Sequence, residues 1–318
     1  VKSFFCIDCI FSDIKALDEE PFVENENIGF NDCSFTNVSV NGFARLQNLN
    51  EDNERMYLVE NSEFINDPDT QLIFVYGYSS EILVTKRRDL IYVENCTFEG
   101  PITIMKIESH AYISIRFINN IIYNTEHWPS TAITSVTRDY NKPTKLHSFE
   151  IGTRNDMEIN NLTYVSLLNC YDLSNASEHV DDIKRATKDI GFDSLWICDI
   201  PSTFMSNLGD ISISNTIFTS DFDIKEYGSS HTNSFLPISM PNTFAQIDLA
   251  LSHEVALFVN SGILNMTNIF LDVGFHARFM VIYEEGTANL NNITTAWAQN
   301  ASLYHDDRYP KPVQYFDS

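Results

Sequence analysis

One six-residue pattern returns nine times along this chain: apolar, any, Asn or Asp, small or apolar, any, aromatic. The copies read CIDCIF, FNDCSF, VENSEF, VENCTF, INNIIY, INNLTY, ISNTIF, MTNIFL and LNNITT. They centre on Asp8, Asp32, Asn61, Asn95, Asn120, Asn161, Asn215, Asn268 and Asn292. Within a copy, the residues two before the centre, one after it and three after it are apolar or small. Their neighbours are mostly polar. This is strand alternation broken by a single turn residue. Asn and Asp tolerate the left-handed backbone that a sharp bend requires. Each copy is therefore expected to be a strand, a tight corner and a second strand. The position three after the centre holds Phe11, Phe35, Phe64, Phe98, Tyr123, Tyr164, Phe218, Leu271 and Thr295. Seven of these nine are aromatic, which predicts rings stacked along an axis.

The shortest interval between copies, 24 residues from Asp8 to Asp32, suits one coil of a three-sided parallel β-solenoid. Longer intervals leave room for extra coils or insertions at the other corners. An Asn at each corner can hydrogen-bond to the coils above and below, giving an Asn ladder. Apolar or aromatic runs between the copies, at 57–59, 72–76, 82–85, 102–107, 112–117, 211–213 and 255–259, read as the remaining strands. Residues 177–190 differ, with Val180, Ile183, Thr187 and Ile190 at helical spacing. Ser177 suits the N-cap and Gly191 the C-terminal cap, so one helical excursion is expected there. The expected organisation is all-β: a solenoid over 1–303 with an insertion at 170–198, then an extended arm at 304–318.

The repeated I-x-N-C-x-F-like copies resemble the right-handed parallel β-helix of the pectin-lyase-like superfamily. More narrowly, they resemble the non-catalytic β-helix repeats of surface proteins and adhesins. The resemblance implies a β-helix over roughly residues 5–300 and says little of function.

The chain carries 44 acidic and 20 basic residues, a net charge of −24. Nucleic acid and anionic lipid are disfavoured as partners. No uninterrupted apolar stretch approaches the length of a membrane-spanning helix, so no insertion into a membrane is expected. No cofactor is implied. Calcium is the one cation so many carboxylates could serve, but the tightest group, Asp221, Asp223 and Glu226, lacks the glycine turn of a calcium loop. Six cysteines and seven N-x-S/T sequons lean toward an extracellular or cell-surface glycoprotein. Asn95, Asn161 and Asn292 fall at ladder corners and are expected to be shielded. Asn37, Asn175, Asn265 and Asn300 remain as glycosylation candidates.

Cys9, Cys33 and Cys96 follow corner residues, and Cys6 precedes one by two, so all four are expected inward. Coil stacking makes Cys9–Cys33 one candidate disulfide. Cys170 and Cys198 flank the helical excursion and form the second. Cys96, with Ser62 on the preceding coil, is expected free. Cys6-x-x-Cys9 has no second pair to complete a zinc motif, so no metal is expected.

Catalytic signatures of the polysaccharide-cleaving β-helix enzymes are missing. There is no Gly-His-Gly or Arg-Ile-Lys, and Asp181-Asp182 lies in the expected helix. The eight histidines form no metal-ligating spacing. Trp128, Trp196 and Trp297 could stack on sugars, although packing of insertions explains them as well. The first copy starts so near Val1 that the chain is expected to need either preceding polypeptide or another subunit over that end. Tyr304, Tyr309, Tyr315 and Phe316, around two prolines, suit an arm that docks on a neighbour. The preferred expectation is a non-enzymatic structural solenoid, joined head-to-tail to copies of itself or to neighbouring segments of a longer surface protein. A carbohydrate-binding adhesin and a polysaccharide lyase or hydrolase are the alternatives.

Overall fold

The computed structural model describes residues 3–15, 27–47, 56–67, 72–78, 89–107, 113–125, 127–128, 148–153, 155–172, 196–198, 200–201, 203–226, 256–272, 278–282, 286–295 and 303–305. The described residues are β-strands and turns, and no helix occurs among them. The strands stack, nearly all in parallel, into a β-solenoid with three faces. The expected helix at 177–190 lies outside the described residues.

The first face holds the strand before each Asn corner, from Ser3–Ile7 and Asn27–Asn31 to the start of Thr287–Thr295. Register carries one inward row through Cys6, Phe30, Val59, Val93, Phe117 and Ile159. The row continues through Ile213, Met266 and Leu290. Nine coils are thus in phase, with no slip at this position. A slip of one residue would turn every apolar side chain outward, so burial itself specifies this register.

The second face follows the corner. Its inward row is Phe11, Phe35, Phe64, Phe98, Ile122, Tyr164, Phe218 and Leu271, with Thr295 in register opposite Leu271. The expected aromatic stack is real over four coils. Phe11, Phe35, Phe64 and Phe98 lie ring on ring at 4.8, 4.5 and 5.0 Å, with interplanar angles of 4°, 3° and 7°. The third face runs from Asn41–Gln47 through Leu72–Tyr78 and Ile102–Ile107 to Leu303–His305. Phe43 and Phe74 reach inward from it and meet the Phe64 ring edge-on. Burying each such side chain contributes about 1.5–3 kcal/mol.

The fifth copy needs a correction. Its left-handed residue is Asn119, φ 56°, and not Asn120. The inward aromatic position is accordingly Ile122, and Tyr123 faces outward opposite Glu99. INNIIY offers two adjacent asparagines and a terminal Tyr, and aligning on the Tyr shifts the phase by one. Burial decides otherwise, because centring on Asn119 places Phe117 inside.

The expected arm also needs its start moved. Leu303–His305 pairs in parallel with Arg278–Ile282, Tyr304 standing opposite Val281, so this stretch belongs to the third face. Tyr309, Tyr315 and Phe316 lie outside the described residues.

Candidate functional site

The Asn corner is the most repeated device in the fold. Asp8, Asp32, Asn61, Asn95, Asn119, Asn161, Asn215, Asn268 and Asn292 all take φ between 50° and 57°. A left-handed backbone costs most L-residues roughly 1–2 kcal/mol, and Asn and Asp less, because their side chains bond locally. Along the ladder each amide donates to the coil before it. Asn95 Nδ2 donates to Asn61 Oδ1 at 3.3 Å, Asn161 to Asn119 at 2.9 Å, and Asn292 to Asn268 at 2.8 Å. All nine side chains are exposed. The ladder runs along the outer edge, not through the core.

The residue after each corner performs the interior task. Where it is Ser62, Thr216, Cys33 or Cys96, its polar hydrogen closes the bend by reaching the carbonyl two residues back. Ser62 Oγ donates to Glu60 O at 2.8 Å, Thr216 Oγ1 to Ser214 O at 2.9 Å and Cys96 Sγ to Glu94 O at 3.3 Å. Side chains of this row also accept from the coil before. Ser62 Oγ takes the Cys33 N–H, and Asn120 Oδ1 takes the Cys96 N–H at 2.8 Å. Asn120, buried, also donates to Val93 O at 3.0 Å. It was expected at the corner and instead satisfies backbone groups inside it. Burial pushes the Cys96 thiol up to about 12, so this cysteine is a packed hydrogen-bond donor.

A second corner follows five residues after the first, and sequence reasoning missed it. Asp13 and Asn37 also take left-handed φ there, Gly100 has φ 117°, and Asn66 occupies the same position. Asn66 is buried, accepts from Val38 N at 3.0 Å and donates to Val38 O at 3.1 Å. A side chain on Gly100 would strike the Asn66 carbonyl. The signal was present as Asp13, Asn37, Asn66, Gly100 and Asn124, each five past a first corner. Elsewhere Asn207 and Asn260 form a buried pair, Asn207 Nδ2 donating to Asn260 Oδ1 at 2.8 Å.

The geometry departs from the exposure expected of several sequons. Asn37, a glycosylation candidate, is half-buried at the second corner, donates to Asp13 Oδ1 at 3.3 Å and accepts from Asp67 N at 3.1 Å. Asn95, Asn161 and Asn292, taken as shielded, are exposed, and each keeps one amide hydrogen beyond its ladder bond. Asn265 lies on the first face, half-buried, accepting from Asn289 at 2.8 Å. Asn175 and Asn300 lie outside the described residues.

The cysteine expectations divide. The bond in the structure is Cys6–Cys9, across the Asp8 corner, with Cα atoms 6.3 Å apart. Cys9 is therefore not bonded to Cys33, which is a free buried thiol. Stacking does put Cys33 over Cys9, but the bend brings Cys6 within reach of Cys9 first. Cys33 Sγ contacts Cys6 O at 3.5 Å, and the three sulfurs lie within 4.8 Å of one another. Among the described residues this is the one convergence of three metal-ligating side chains. Cys170 stands opposite Cys198 in an antiparallel strand pair. Asp221, Asp223 and Glu226 lie along the single strand Asp210–Glu226 and not around a loop.

The fold is thus a parallel β-solenoid with its bends held by amide and thiol hydrogen bonds. No protein-family model, curated protein or solved structure matches the chain.

Proposed function

We propose that this chain is an extracellular structural solenoid, a subunit of a surface filament or stalk joined end to end. The finer kinship with pectin-lyase-like β-helices, and with the repeats of surface adhesins, belongs to the same reading. The observation that carries it is the uninterrupted phase of the inward rows. Nine coils repeat one register, and both outer coils of the described stack present the same rows half-covered. Phe4, Cys6, Cys9, Phe11 and Ile14 are partly buried at one end, and Ala288, Leu290 and Ile293 at the other. A further coil laid on either end would continue the hydrogen-bond ladder and cover these side chains. Phe5, Ile7 and Ile10, 58, 64 and 83% exposed, add an apolar flank to the first coil. In this reading a second copy, or a neighbouring stretch of a longer surface protein, would lay such a coil on the described stack.

Sedimentation and electron microscopy of the purified chain test this. Rods whose lengths are multiples of one unit support it, as does their loss on deleting residues 306–318. Single short particles at every concentration, whatever the tail, contradict self-assembly. A glycan array then tests the adhesin alternative, and incubation with acidic polysaccharides the lyase or hydrolase alternative.

A further inference from the structure

We propose that Cys6, Cys9 and Cys33, once reduced, form a three-thiolate site for a soft d10 cation such as zinc, cadmium or copper(I). The site is built by two coils. The Asp8 corner folds Cys6 and Cys9 to a Cα separation of 6.3 Å. The Asp32 corner, one coil on, supplies Cys33 from above. Rows explain why the third sulfur arrives there. In the regular stack, a residue just past a corner lies against the residue two before the preceding corner. Cys96 Sγ touches Val59 O at 3.6 Å in this way, and Cys33 Sγ touches Cys6 O at 3.5 Å. Only at the first coil is that preceding residue also a cysteine.

The distances suit a metal. Bonds of about 2.3 Å place three sulfurs about 4 Å apart around a trigonal centre, and all three now lie within 4.8 Å. Thiolate sulfur selects these cations over calcium or magnesium. Cys6 and Cys9 are half-exposed, which leaves a way in, while Cys33 is buried. The exposed carboxylates of Asp8 and Asp32 mark the two corners concerned. Spacing within the sequence hid this site, because Cys6-x-x-Cys9 has no partner pair and the third ligand is 24 residues further on.

The disulfide and the cation exclude each other. A trialkylphosphine, taking oxygen from water to become its oxide, breaks the Cys6–Cys9 bond and leaves two thiols. The cation then binds three sulfurs and displaces three protons.

The test uses the full chain, reduced by a phosphine, desalted without oxygen and titrated with cadmium chloride. Three readings are expected over the first equivalent. Thiolate-to-cadmium absorbance rises and saturates at one cation per chain. About three protons are released per cadmium. Cys6 and Cys9 become protected from iodoacetamide, mapped by mass spectrometry, while Cys96 is unaffected. Cys33→Ser should weaken the binding at least about tenfold, and Cys96→Ser should not. Release of two protons from the reduced chain with its own sequence overturns the third ligand without relying on any variant. Absent protection of Cys6 and Cys9, or protection of Cys170 and Cys198 in their place, overturns the site itself.

Discussion

In the coils that carry Phe11, Phe35, Phe64 and Phe98, these four rings lie parallel, and the residue past each corner is Cys or Ser. From Tyr164 onward the same row holds Tyr164, Phe218 and Leu271, and the one ring pair within it, Tyr164–Phe218, is tilted by 55° at 5.8 Å. There the residues past the corner become Leu162, Thr216, Ile269 and Ile293, and the buried amides of Asn207 and Asn260 enter the interior. Both halves keep the outer ladder, the left-handed corner and the register. The interior can therefore change chemistry while the corner cannot. Shape is set where the backbone bends, and side-chain volume fills what the bend encloses.

Breaking the ring stack should cost most. Phe64 is fully buried between Phe35 and Phe98. Phe64→Ala is expected to destabilise its coils by about 3–5 kcal/mol. Leu271→Ala, at the equivalent place in the later half, should cost less, at about 2–3 kcal/mol. Hydrogen exchange is the suitable measurement, because a solenoid loses its coils locally. Equal losses at both places would erase the distinction between the halves.

Asn120 comes next. Asn120→Leu strands the Cys96 N–H and the Val93 carbonyl inside, and should cost about 1–3 kcal/mol. Urea unfolding would read it. A neutral result would mean that the interior amide has no part in closing the corner.

The outer ladder sharpens the contrast. Asn161→Ala loses one exposed amide bond and places Ala at φ 55°, for roughly 1–2 kcal/mol. Asn161→Gly keeps the backbone freedom and loses only the bond, so it should cost less. If Gly costs as much as Ala, the amide bond and not the bend is what selects Asn.

The smallest effect lies on the third face. Burial raises the Glu150 carboxyl, and Lys106 at 3.9 Å lowers it only in part. A carboxyl raised in the folded state binds its proton more tightly there than in the unfolded chain. Stability therefore falls as pH rises from the unfolded value through the folded one. Glu150→Gln should remove that slope and raise the melting temperature by roughly 1–2 °C at neutral pH. An unchanged pH profile would show that the carboxyl is effectively solvated.

Much of this was legible in the chain. Eight of the nine corners follow from the repeat, because Asn tolerance of positive φ and the alternation of burial leave a strong one-dimensional trace. The ninth misled because INNIIY contains two asparagines, and only the burial of Phe117 separates them. The second corner was written just as plainly, but its residues change from Asp to Asn to Gly and so do not look like a motif. The disulfide was not legible, because coil stacking and the bend both bring a sulfur to Cys9. The three-sulfur cluster required knowing which rows meet across adjacent coils.

Paired cysteines placed along the outer ladder test the phase of the solenoid most directly. Asn119→Cys with Asn161→Cys puts two thiols at adjacent corners, 42 residues apart in sequence. Asn120→Cys with Asn161→Cys puts one of them inside. The proposed stacking predicts a disulfide under mild oxidation for the 119/161 pair and none for the 120/161 pair, read by peptide mass mapping. A disulfide in the second pair only, or in neither, would contradict a solenoid turning at Asn119.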